Sequence, residues 1–124
     1  MQLDKLVELL REYDGPFDME NQYICALGLA MRNGDRFGFR KYASKEDYVM
    51  FAFEFLPYLF NWIKAKEKSD CLTQWMFDAG WKQIDNSKEG AIKRIQYIID
   101  NGEDKVYEEI CKHEKMKDLY FTLE

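Results

Sequence analysis

Nucleophilic catalysis needs a nucleophile, a base and a group to orient the base, and the chain offers one histidine, His113, for the second role. It sits in the run Cys111-Lys112-His113-Glu114-Lys115, where an imidazole among charged neighbours reads as a solvated side chain. Carboxylate ligands for a metal would have to converge. Instead Glu103, Asp104, Glu108, Glu109 and Glu114 alternate with Lys105, Lys112 and Lys115, the pattern of a solvent-facing helix laced with ion pairs. Cys25, Cys71 and Cys111 form no CxxC pair and leave one thiol over, so reduced thiols are expected rather than a disulfide framework or a cysteine zinc site. Gly34 and Gly38 lack the strand, lysine and helix start of a phosphate loop. These residues predict no catalytic group, no metal and no cofactor.

Binding chemistry has more to work with. Between Arg32 and Lys45 the chain holds Arg32, Arg36, Arg40, Lys41 and Lys45 against Asp35, a window of +4 in a chain of −5, which leaves −9 elsewhere. Phe37, Phe39 and Tyr42 are interleaved with those cations, so Arg36, Phe37, Arg40 and Lys41 are candidates for gripping phosphates and stacking bases. The competing reading is a loop whose aromatic rings turn into the core while its cations stay wet. Trp75 and Trp81 flank Gly80, and two indoles near a helix end are candidates for a partner hot spot or for closing a small core.

The elements that must position these residues are helical. Leu3, Leu6, Val7, Leu10 and Tyr13 recur at helical spacing until Gly15-Pro16, and a second helix fits Gln22 to Asn33, stopped by Asn33-Gly34. Arg36 to Tyr42 fits a short strand or an irregular loop. Tyr48 to Ile63 is nearly all apolar, but it is shorter than the roughly 20 residues a bilayer requires and contains Glu54, Pro57 and Asn61. It reads as a central aromatic helix, begun near Ser44 and Asp47 and kinked or split at Pro57. A helix capped by Ser69 or Asp70 runs to Ala79.

The next helix has the clearest boundaries. Asp85 or Asn86 starts it, with Glu89 reaching back as in a capping box, and Asn101-Gly102 stops it. Ala91, Ile92, Ile95, Ile98 and Ile99 take its inner face, and Lys88, Lys93, Arg94, Gln96 and Asp100 the outer. A last helix spans Glu103 to Met116 with Val106, Tyr107, Ile110 and Cys111 inward.

One stretch carries a resemblance. Trp81, Asp85-Asn86-Ser87, Gly90-Ala91 and Arg94-Ile95, with the earlier Cys25-Ala26-Leu27-Gly28, resemble a group of small bacteriophage proteins with the pattern W-x-x-x-D-N-T-x-x-G-A-x-x-R-I. Ser87 stands where threonine is usual, and Lys88 where proline often stands. That family has no assigned activity, so the resemblance implies a phage-type context and brings no catalytic residues.

A hydrophobic share of 47% with 16% aromatic residues argues for a packed core despite 33% charged residues, and 124 residues suit one domain, 1–124. Without a basic segment ahead of a long apolar run, no signal peptide is expected. The expectation is an all-α, compact, single-domain helical bundle of about five to six helices, an acidic cytoplasmic protein. Its expected role is a non-catalytic phage-type accessory protein that binds and modulates a host protein, a defence component among the candidates. Nucleic-acid binding through Arg32 to Lys45 is the disfavoured alternative, and a helical domain enclosing a small ligand is a third. No membrane partner is expected.

Overall fold

Apolar side chains at three- and four-residue spacing bury one side of each helix, and the way those sides meet sets the architecture. The computed structural model describes residues 2–18, 25–39, 55, 59, 66–77 and 87–113. Every regular element among them is helical: α1 (Gln2–Glu12), α2 (Ala26–Arg32), a 3-10 turn (Gly34–Phe37), α3 (Lys66–Phe77), α4 (Lys88–Asn101) and α5 (Glu103–Lys112). The expected all-α bundle is what the chain forms.

α1 buries Leu3, Leu6, Val7, Leu9 and Leu10 against α4. After it, the Tyr13 hydroxyl donates to the Pro16 carbonyl at 2.6 Å and closes the turn. α2 is wrapped on nearly every side, with all residues from Ala26 to Met31 buried, and its Ala26, Gly28 and Ala30 let neighbours come close. This helix starts four residues later than Gln22. Cys25 is extended, and its Sγ accepts the Gly28 N–H at 3.3 Å, so a thiol caps the first turn. Asn33 ends it as expected, with Nδ2 donating to the Leu29 carbonyl at 2.8 Å.

α4 is the hub, packed against α1, α3 and α5. Its cap is Ser87, whose Oγ accepts the Gly90 N–H at 3.1 Å; Asp85 and Asn86 lie outside the described residues. The cap therefore shifts by one residue and the capping box is not formed, because the third residue after Ser87 is Gly90, whose amide the hydroxyl accepts but which has no side chain to reach back. At the other end Gly102 has φ 88° and ψ 151°, a conformation open to glycine and strained for any side chain, and not the left-handed helical one expected. That single residue joins α4 to α5.

Side-chain pairings give the directions. Lys88, at the start of α4, donates to the Tyr13 carbonyl just past the end of α1 at 2.5 Å, so the two helices run antiparallel. Arg94 Nε donates at 2.9 Å to the Met76 carbonyl near the end of α3, while Trp75 meets Tyr97 edge to face at 6.0 Å, so α3 also runs against α4. Arg94 corrects its expected solvent placement: it is wholly buried. α4 is packed by α1, α3 and α5, so a side chain on its α3 side is enclosed, and the Met76 carbonyl is the acceptor it meets there.

Two further boundaries differ from expectation. α3 is already helical at Lys66, before the caps sought at Ser69 or Asp70, since apolar Leu72, Trp75 and Met76 all point into the core from an uninterrupted helix. α5 buries Val106 and Ile110 but leaves Cys111 exposed, because Cys111 lies one step past the buried stripe; the helix is capped at His113. Residues 114–116 lie outside the described residues. So does most of the aromatic segment 48–63, including Pro57; its two described members, Phe55 and Leu59, are helical and buried.

Candidate functional site

The 3-10 turn brings the basic and aromatic candidates into view. Phe37 is buried and meets Phe55 edge to face at 4.9 Å and 82°, with Phe39 on the same ring at 5.9 Å. Phe37 is therefore core, and as a stacking platform it is corrected. Arg36 lies on the surface, where its Nη1 donates to Glu12 Oε2 at 2.8 Å. That bond, with the nearby Glu8 and Asp35, pushes the Arg36 pKa up and commits its charge to α1. Arg40 and Lys41 lie outside the described residues, as does Trp81. Trp75 is wholly buried, which removes it from any surface a partner could touch and corrects its placement as a hot spot. Of the six candidates, the structure therefore leaves only Arg36 on the described surface.

His113 ends α5 with its backbone N–H on the Ile110 carbonyl at 3.1 Å. Among the described residues no three His, Cys, Asp or Glu side chains converge on a point that could hold a metal ion.

The seam of α1 and α4 holds a concavity that the sequence reading did not single out. Arg11 from α1 and Glu89, Ile92, Lys93, Gln96, Tyr97 and Asp100 from α4 line an open groove of about 520 Å³. The α4 residues follow helical spacing over three turns, so one rigid face presents them all. Ile92 and Tyr97 are half-buried at the core's edge and border the groove on opposite sides of this α4 face, with Lys93 and Gln96 between them. The lining carries two cations, Arg11 and Lys93, and two carboxylates, Glu89 and Asp100, and Gln96 Nε2 donates to Asp100 Oδ1 at 2.9 Å. Tyr97 is fixed from both ends: its ring lies against Trp75, and its hydroxyl donates to Glu109 on α5. That hydrogen bond, then burial, then the carboxylate's charge, push the Tyr97 pKa up to about 12. The phenol thus stays neutral across the physiological range and serves as a wall, with no proton to exchange. The sequence held no local signal for this groove, because Arg11 and the α4 residues come together only when α1 packs on α4.

No protein-family model matches the chain, and no curated protein or solved structure shows significant similarity to it. Among the described residues, no helix is long and apolar enough to cross a membrane.

Proposed function

We propose that this is a non-catalytic, phage-type accessory protein that binds and modulates a host protein, and that the α1–α4 groove seats the partner. The observation that carries the reading is the groove itself, flanked by the half-buried Ile92 and Tyr97, lined by charges of both signs and built on one face of a helix packed by three neighbours. Such a surface suits an amphipathic helix of a partner protein, whose apolar residues meet the Ile92 and Tyr97 flanks while its charges pair with Arg11, Glu89, Lys93 and Asp100. The phage context rests on the Trp81 to Ile95 resemblance alone. The nucleic-acid reading is weakened by the same residues that suggested it, because Arg36 is paired with Glu12 and Phe37 is turned inward.

The test combines capture and anisotropy. Wild type and a Lys93→Glu, Gln96→Arg double variant, both with intact melting curves, are used as bait in bacterial lysate with and without nuclease treatment. A protein retained by wild type and lost by the variant supports the reading. Retention that disappears on nuclease treatment refutes it. In parallel, labelled single-stranded DNA and RNA at about 0.15 M salt should show no saturable binding to micromolar protein. Saturable, salt-sensitive binding lost on replacing Arg36, Arg40 and Lys41 with alanine would promote the nucleic-acid function instead.

A further inference from the structure

We propose that α4 docks on α4 of a second copy of this chain, antiparallel about a two-fold axis, so that in the free protein the groove is closed by the same groove. The inference rests on the reading of this groove as a docking surface and names what regulates access to it. Glu89, Lys93, Gln96 and Asp100 recur at steps of four, three and four residues, the spacing of a helix-pair seam. Lys93 and Asp100 stand two turns apart, about 10 Å. An axis crossing α4 midway between them, at Gln96 and Tyr97, exchanges the two positions and sets Lys93 of each copy against Asp100 of the other. Arg11 joins the same end as Lys93: α1 runs against α4 with the Tyr13 carbonyl on Lys88, which puts Arg11 beside the first turns of α4. Each Asp100 therefore meets two cations.

The choice of a second copy follows from charge. A helix that fits the groove needs a carboxylate opposite Arg11 and Lys93 and a cation opposite Asp100, two turns away, and α4 run antiparallel supplies both. Asp100 is exposed, and the Gln96 amide that donates to its Oδ1 holds the carboxylate on the seam with lone pairs left for a cation. The two-fold also lays the Tyr97 side of one helix on the Tyr97 side of the other. Half-buried rings that Glu109 already fixes thus meet near the axis and give the contact its apolar part. Glu89 lies a turn beyond Lys93, where helices crossing at about 20° to 50° have begun to part. Three neighbours brace α4, so docking has little backbone left to order. A three-turn face is nevertheless small beside the roughly 800 Å² per partner of stable complexes, and its ion pairs are screened by salt, so the dimer is weak, with a Kd on the order of 0.1 mM. At low micromolar protein the groove stands open to a host helix, and at high local concentration the second copy closes it.

Sedimentation equilibrium of the full chain from about 10 μM to about 1 mM should show the weight-average mass climbing from one chain towards two, and climbing less in about 0.5 M salt. Asp100→Lys and the double variant Arg11→Glu, Lys93→Glu, both with intact melting curves, should each stay monomeric, since each gives the facing groups a single sign. An equimolar mixture of the two should dimerise, because every facing pair is then opposite. A wild type that stays monomeric at the highest concentration, a variant that dimerises alone, or a mixture that does not associate overturns the proposal. Host capture is read separately, at low micromolar protein where the groove is open. A dimer without a lysate partner sinks only the function proposed above, and a lysate partner without a dimer sinks only this inference.

Discussion

A guanidinium enclosed by protein is costly to the extent that its donors lack acceptors, and Arg94 meets part of that demand through Nε, which donates to the Met76 carbonyl, while its buried Nη2 makes no hydrogen bond among the described residues. Truncation would leave both a cavity and an unanswered carbonyl. Arg94→Ala should therefore lower the unfolding free energy by about 3 to 5 kcal/mol in urea titrations. Lys88→Ala removes a similar bond, to Tyr13, but from a half-exposed site, and should cost only about 1 kcal/mol. Equal losses in the two variants would contradict the burial argument. Tyr97 makes a second prediction, in pH. Its folded pKa of about 12 stands above the ordinary 10, so folding favours the protonated phenol. The stabilisation is complete below pH 10 and disappears as pH rises from 10 through 12. Absorbance at 295 nm should resolve a late-titrating component that is smaller by one tyrosine in Tyr97→Phe, and an unchanged titration curve in that variant would sink the assignment to the Glu109 bond.

At the scale of elements, the connection between α4 and α5 sets the sharpest constraint. Gly102 adopts φ 88° and ψ 151°, whereas Gly38, after the 3-10 turn, has φ 86° and ψ 10°, and nothing lies within 4 Å of a β-carbon at either site. Any penalty for alanine is then backbone strain alone. Gly102→Ala should cost about 2 to 3 kcal/mol and Gly38→Ala about 1 kcal/mol, read as separate shifts in denaturation midpoint. The reverse order would show that ψ does not govern the strain. The stop at Gly102 was legible because glycine ends the apolar repeat; its ψ was not, since that follows from folding α5 back at once. The inner face of α4 was legible as Ala91, Ile95 and Ile98, all buried, whereas Arg94 was not. A helical wheel assigns charge to water and cannot know that a carbonyl of a neighbouring helix lies where the guanidinium points. The groove escaped for a related reason: Arg11 and Tyr97 meet only after α1 docks on α4, and no local pattern encodes that meeting.

For the molecule as a whole, charge is distributed less unevenly than the sequence windows suggest. The chain's −5 includes Glu12, which Arg36 answers across 24 residues, and Asp104, which Lys68 answers across 36. Exposed pairs of this kind stabilise by about 0 to 1 kcal/mol each, so they orient surfaces more than they hold the fold. Two of the three cations of α4 act differently. Lys88 and Arg94 terminate the helices on either side, α1 and α3, by supplying donors to carbonyls at their ends. Segments far apart in sequence thereby share one opening event: when α4 detaches, the last turns of α1 and α3 lose their termination together. Native-state hydrogen exchange should accordingly show the amides of Leu10 to Tyr13, of Trp75 to Phe77 and of the first two turns of α4 exchanging with one common free energy, and Arg94→Ala should lower that value for all three segments at once. Separate free energies would mean that the three segments open independently.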